Sequence, residues 1–239
     1  MLQRITKCIL LVSLFITIAS AQKLDDILKK HYEARGGLKN IKAVQTIQTT
    51  GKIMMMGKEY PTTIYQKRSG GFRSDMTMGK VNIVQAYDGK AGWQIIPMAG
   101  TLDPIDIIGK ELQSIKEQAD LDGYLVDWKD KNYKLELVGK ESLKEKPVYH
   151  FKIIRQDTTE HHIYLDEKTY LLVQETDKMK MMGKEMEIIT SFGDYRKVDK
   201  LMMSFTQEVG GAMPQKIQFE KIVFNQPISD SLFTKPIKK

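Results

Sequence analysis

The residue types that perform chemistry are sparse in this chain, and their spacing excludes most mechanisms. There is one cysteine, Cys8, and there are four histidines, His31, His150, His161 and His162. Cys8 falls inside an N-terminal segment that reads as a leader. The remaining chain then has no disulfide, no thiolate nucleophile and no cysteine-based zinc site. No Gly-x-Ser-x-Gly elbow is present to raise a serine nucleophile, and no His-Glu-x-x-His to hold zinc. His161 and His162 are adjacent, and a strand would send them to opposite faces, so the pair cannot readily chelate one ion. No catalytic residue, metal ligand or cofactor is assigned, and the chain is read as a non-enzyme.

Methionine is the unusual component, with fourteen in the chain. The clusters are Met54 to Met56, Met76 with Met78, Met179 with Met181 and Met182, Met186, and Met202 with Met203. Three chemistries suit them. Soft thioethers can bind Cu(I), but alternation along a strand separates consecutive methionines. They can fill a core. They can also line a cavity that adapts to ligands of varied shape, because the side chain is flexible and polarizable.

The elements that would position these residues begin after the leader. Arg4 and Lys7 precede the apolar run Ile9 to Ile18, and Ala19-Ser20-Ala21 is a small-residue cleavage site. Cleavage after Ala21 leaves residues 22–239 as one domain and fixes the expected compartment as the periplasm or cell exterior. Loss of Arg4 and Lys7 lowers the formal charge from +7 to +5. The charges are interspersed, which describes a solvated surface with mild affinity for anionic membranes and not a nucleic-acid footprint.

Leu24, Ile27, Leu28 and Tyr32 recur at helical spacing, and Gly36-Gly37 supplies a left-handed stop. A short amphipathic piece follows through Leu38, Ile41 and Val44. From Thr46 the period becomes two. Gly-Lys recurs at positions 51, 57, 79, 89, 139 and 183, as hairpins with glycine at positive φ require. This predicts an antiparallel meander of about 10–12 strands, long enough to curl into a half-open barrel. Met55 to Glu59 and Met181 to Glu185 repeat the same five residues, at two expected hairpin tips. The parity of Ile217 and Phe219 slips against Ile222 and Phe224, which predicts a bulge at Glu220-Lys221.

One helix is expected to interrupt the meander over residues 103–120. Asp103 would cap it, Pro104 would take its first position, and Ile105, Ile108, Leu112, Ile115 and Ala119 would form its apolar stripe. Gly109 would lie inside it, as a close-packing position or a hinge. A polar loop with dispersed Leu121, Tyr124, Val126 and Trp128 follows. Trp93 lies on a strand expected to face inward, as core or as a ligand platform.

Two stretches resemble a known family. Lys67-Arg68 followed by Phe72-Arg73, and then Asp88-Gly89-Lys90-Ala91-Gly92-Trp93 leading to Pro97, are similar to the Lys-Arg-Pro strand pair and the Asp-Gly-Lys-x-x-Trp hairpin of LolA-type periplasmic lipoprotein carriers. Tyr164-Leu165-Asp166 and Leu232-Phe233 resemble later family segments. The resemblance implies an incomplete β-barrel whose apolar concave face binds acyl chains of lipoproteins beneath a helical lid. It also implies that Arg68 latches the lid, although Ser69 stands where the family has proline. Ile105, Ile108, Leu112 and Ile115 would face the cavity from the lid, with Trp93 among the ligand contacts. The expected function is a monomeric envelope carrier moving lipoprotein or lipid toward the outer membrane, with transient membrane partners. The alternative is a sensor that binds a small apolar molecule and acts on a membrane partner.

Overall fold

A computed structural model describes residues 23–97, 102–181, 184–211 and 213–237. The expected leader, residues 1–21, lies outside them. Helix α1 covers residues 23–34, and α2 is Leu38–Ala43. They are followed by β1 (Thr46–Met55), β2 (Lys58–Lys67), β3 (Gly71–Met78), β4 (Val81–Asp88), β5 (Gly92–Ile95) and β6 (Ile105–Ile107). Helix α3 (Gly109–Gln118) and an irregular stretch through residue 133 come next. The chain then forms β7 (Lys134–Leu143), β8 (Lys146–Ile154), β9 (Glu160–Asp166), β10 (Leu172–Met181), β11 (Lys184–Val198), β12 (Leu201–Val209) and β13 (Gln215–Phe224). A 3-10 turn, Asp230–Leu232, ends the described elements.

All thirteen strands belong to one antiparallel sheet, in the order β6-β5-β4-β3-β2-β1-β13-β12-β11-β10-β9-β8-β7. β6 and β7 do not pair with each other, so the barrel stays open between them. The first strand pairs with the last. That seam, Ile47 opposite Phe224 through Met55 opposite Gln215, joins two meanders that are otherwise local. At the seam Thr50 pairs with Lys221 and Gly51 with Phe219, leaving Glu220 as the extra residue. The expected bulge is therefore present where the parity slipped.

The helices lie on one face, the inner face. Leu24, Ile27 and Leu28 of α1 pack on Tyr149, Phe151, Ile153, Ile163 and Leu165. Ile41 of α2, with Val44 and Val126, packs on Ile47, Leu201, Phe205, Ile222 and Phe224. The end of α1 is a Schellman cap. The Gly37 N–H donates to the Tyr32 carbonyl at 2.7 Å, and the Gly36 N–H to Glu33 at 2.9 Å. Gly36 has φ +111°, and a Cβ there would sit 2.0 Å from the Lys200 carbonyl oxygen. Only glycine meets both demands.

Three expectations are corrected. The helix expected over residues 103–120 starts only at Gly109, because residues 105–107 form an edge strand, at one end of the thirteen in the described sheet. Pro104 disfavours the helical region for Asp103, and Ile105-Asp106-Ile107 satisfies a period of two as well as a helical stripe. Gly109 is not packed closely: nothing lies within 4 Å of a Cβ built there. Its φ of +61° turns the chain from β6 into α3 instead. The Gly-Lys dipeptides also differ among themselves. Gly79 is at a tight turn, but Gly51 and Gly139 lie inside β1 and β7 at register shifts. At the β1–β2 tip Met56 and Gly57 both have positive φ, which is the type I′ pattern and puts glycine second. The dipeptide at 183 lies partly outside the described residues.

Candidate functional site

Strand alternation extends the inner face beyond the helices. From Ile47, Ile222 and Phe219, which lie on the helix side, every second residue belongs to that side. One row of paired positions runs Ile83, Met76, Thr62, Gly51, Phe219. The next runs Tyr60, Ile53, Ile217, Gln207, Phe192. Ile53, Tyr60, Met76, Ile83 and Phe192 are half-buried and belong to none of the packed clusters. This is a largely apolar floor, with Thr62 and Gln207 in its rows, and no described helix packs on it. Gly51 stands at the β1–β13 bulge, where the strands approach so closely that a Cβ would meet the Gln218 carbonyl oxygen at 2.2 Å.

α3 covers a neighbouring part of the same face. Ile115 and Ala119 are buried against Phe72, Tyr87 and Ile107, with Leu112 partly buried beside them. A Cβ on Gly92 would lie 3.1 Å from Leu112 and 3.5 Å from Ile115, so glycine at this position leaves room for α3 to approach β5. The stretch after α3 is held by Arg68. Its guanidinium forks onto Asp122, with Nη1 donating to Oδ2 at 2.7 Å and Nη2 to Oδ1 at 2.9 Å. Its remaining N–H groups reach the Val44 carbonyl at 2.6 Å and the Ile41 carbonyl at 3.0 Å. One side chain thus ties the end of β2, the helix α2 and the stretch following α3. Burial raises the Asp122 carboxyl, but Arg68 outweighs it, and the net shift is downward. A cleft of about 370 Å³ opens beside this fork, lined by Arg68, Tyr87, Lys116, Ala119, Asp120, Leu121 and Asp122 among others.

A second tie holds α3 itself. Arg155 Nη1 donates to both carboxylate oxygens of Glu117, at 3.0 and 2.9 Å, and Arg155 Nη2 reaches Asp177. Tyr124 O–H donates to Glu117 at 2.8 Å. His161 Nδ1 donates to Asp177 at 2.9 Å and its ring lies 4.0 Å from that of Tyr124. His161 is 1% exposed. Burial opposes its charge, but hydrogen bonding to Asp177 and Glu175 prevails and lifts it to about 9. The network therefore carries a charged imidazolium among carboxylates at neutral pH.

The candidate residues named from sequence divide into three groups. Arg68 sits at the junction just described. Leu112 and Ile115 face the sheet from α3. Ile105 and Ile108 do not belong to α3: Ile105 lies in β6 on the same side as Ile107 but is 42% exposed, and Ile108, 75% exposed, precedes the helix. Trp93 is 2% exposed but lies on the outer face with Val84, Ala86 and Ile95. Its indole N–H donates to the Phe233 carbonyl at 2.8 Å, and the C-terminal segment covers it. It is core on the side away from the apolar floor, not part of an inner ligand platform.

The network of Glu117, Arg155, His161 and Asp177 was not among the candidates. A signal existed: Arg155 continues the parity of Phe151 and Ile153, which places a charge in an apolar row. The opposed-face expectation for the histidine pair holds, since His161 faces inward while His162 Nδ1 meets His150 Nε2 on the outer face at 2.8 Å. Among the described residues no group of His, Cys, Asp or Glu could hold a metal ion. No described helix is long and apolar enough to cross a membrane.

Among the described residues the chain is an open antiparallel half-barrel, with helices over part of its inner face and apolar rows beside them that no described helix covers. Solved structures of that architecture are similar to this chain. A LolA superfamily protein from Nitrosomonas europaea matches with a TM-score of 0.59 at 13% identity, over 88% of this chain and 97% of the other. A DUF1329 family protein from Desulfovibrio piger gives 0.61 at 13% identity, over 88% and 96%. A domain from Vibrio parahaemolyticus named for outer membrane lipoprotein sorting gives 0.57 at 11% identity, over 88% and 95%. The chain has the LolA-type fold. No family model and no curated protein sequence matches it.

Proposed function

We propose that this protein is a non-enzymatic carrier of the bacterial envelope. It would be exported by a leader cleaved after Ala21 and bind acyl chains of lipoproteins or lipids for transfer toward the outer membrane. The observation that carries this reading is the apolar floor built from Ile53, Tyr60, Met76, Ile83 and Phe192, on the inner face of a LolA-type fold. Each buried CH₂ stabilises a bound chain by about 0.8 kcal/mol, so a floor several residues wide suffices to hold one out of water. Methionine in that floor adapts to chains of different length and branching. α3 is the lid, seated by Leu112 and Ile115. Arg68 and Arg155 are its two latches, one on the stretch after it and one on Glu117.

The test is native mass spectrometry of the mature monomer purified from the periplasm without detergent, followed by uptake of a fluorescent fatty acid. We expect co-purified acylated protein or diacyl lipid in the wild type. Substituting Ile53→Asp together with Phe192→Asp should cut fatty-acid uptake by at least about tenfold, because a charge beside the chain costs more than one CH₂ group supplies. Unchanged uptake in a folded double variant would refute the assignment of the floor. A small non-lipid ligand in the wild type would point to a sensor.

A further inference from the structure

Five large apolar side chains among the described residues are more than 70% exposed, and three of them lie at one end of the sheet. Met56, 87% exposed, is at the β1–β2 tip. Met213, 72% exposed, is in the β12–β13 connection. Leu102, also 72% exposed, is in the β5–β6 connection. The register brings the first two of these connections level, and strand order puts the β5–β6 connection at the same end of the sheet, several strands along. Met55 pairs with both Lys58 and Gln215, so the β1–β2 and β12–β13 tips are level. Thr62 pairs with Met76, which puts Met78 and the Gly79-Lys80 turn beside the β1–β2 tip. Two of these tips carry the same tripeptide, Met56-Gly57-Lys58 and Met78-Gly79-Lys80. A third copy in the sequence, at 182–184, lies partly outside the described residues and carries no weight here.

The charges at this end are sorted. Lys52 and Lys216 are neutralised by Glu59 at 2.8 Å and Glu208 at 2.9 Å. Lys58 and Lys80 are exposed and make no ion pair among the described residues. We infer that this rim docks on the surface of a membrane containing anionic lipid, with Met56, Leu102 and Met213 entering the headgroup–acyl boundary and Lys58 and Lys80 meeting lipid phosphates. Apolar points on separate turns, flanked by unpaired lysines, suit a fluid interface, which needs no complementary relief. A rigid protein partner would call for a groove or a flat apolar patch, and this rim is a row of tips. The rim also adjoins the apolar floor, since the pair Ile53 and Tyr60 lies two positions below Met55 and Lys58. Use of the rim for loading rests on the function proposed above; the docking itself does not.

The experiment is flotation of the mature protein with vesicles of phosphatidylethanolamine and phosphatidylglycerol, against vesicles of phosphatidylcholine alone. We expect binding to the anionic vesicles only, weakened by added salt. Met56→Glu with Leu102→Glu and Met213→Glu should abolish it, and Lys58→Glu with Lys80→Glu should reduce it by about tenfold or more. Fatty-acid uptake from solution should persist in both variants, which verifies folding and keeps the two claims separate. Equal binding to neutral vesicles, no binding to either, or full binding by the triple variant overturns the docking surface. Vesicle binding that depends on the tips, without fatty-acid uptake by the wild type, would remove the carrier function and leave the surface standing.

Discussion

Arg68 illustrates how one side chain decides the arrangement of several segments. Its side chain is 27% exposed and that of Asp122 10%, so the fork operates in a poorly solvated setting. Arg68→Leu leaves Asp122 without its fork and removes the guanidinium from the Val44 and Ile41 carbonyls, the latter keeping only the Val44 N–H, and should cost about 2–4 kcal/mol in denaturant unfolding. Arg68→Lys keeps the charge but not the bidentate geometry and should recover only part of that. Equal stability of the leucine variant would remove Arg68 as a latch. His161 makes a different prediction. The unfolded imidazole titrates near 6.5 and the folded one near 9. Its stabilisation is complete below pH 6.5 and fades as pH rises to 9, by up to about 3 kcal/mol. His31 has the opposite window. Burial, assisted by Arg35, holds it near 4, so stability is complete above 6.5 and declines as pH falls toward 4. Denaturant midpoints measured across this range should peak near pH 6.5, and His161→Gln should flatten the alkaline arm alone.

The apolar seating of α3 is thin for a helix of ten residues, and charge compensates. Ile115 is its one buried residue. The bidentate Arg155–Glu117 contact supplies the rest of the hold, at about 1.5–3 kcal/mol for hydrogen bonds between charged groups. Glu117→Gln should therefore speed amide exchange in residues 109–118 by about tenfold or more, with β8 and β9 amides unchanged. If the helix exchanges at the wild-type rate, the contact is not a latch. The sequence made α3 legible from Leu112 to Ala119, where the stripe is real. It failed upstream, because Ile105 and Ile108 fit a helical period by spacing while Pro104 and Gly109 set the backbone otherwise. The bulge at Glu220 and the cap at Gly36 were legible because each follows from a local rule. The partner of Arg68 was not, since Asp122 lies 54 residues away in a stretch without periodicity. The face of Trp93 was equally hidden. It depends on Phe233, 140 residues away, and strand parity does not say which side the helices take.

For the whole molecule, the division of the inner face matters more than any single contact. α1, α2 and the stretch after α3 bury one part in continuous clusters, and the rows through Ile53 and Ile83 stay bare. The exposed tips lie beside the bare part, and the Arg68 cleft lies where the helices meet the sheet. A cargo entering at the rim would meet apolar side chains before any charged group of the Arg155 network. On the outer face, the apolar cluster around Trp93 is covered by the segment carrying Phe233.

The seam between β1 and β13 has a further consequence, for the order in which the chain acquires its shape. Each half of the sheet is a run of neighbouring hairpins, which form quickly because little chain entropy is lost in closing them. The seam joins residues separated by nearly the full described length, so it should close last and limit the folding rate. Until then both its edges are open templates for other chains, which makes the seam the point of greatest aggregation hazard during folding. The same division predicts that two separately expressed fragments, cut between β6 and α3, will reassemble on mixing. Recovery of the intact protein's near-ultraviolet dichroism and fatty-acid binding would show it, and fragments that stay apart would mean that the halves need their covalent link.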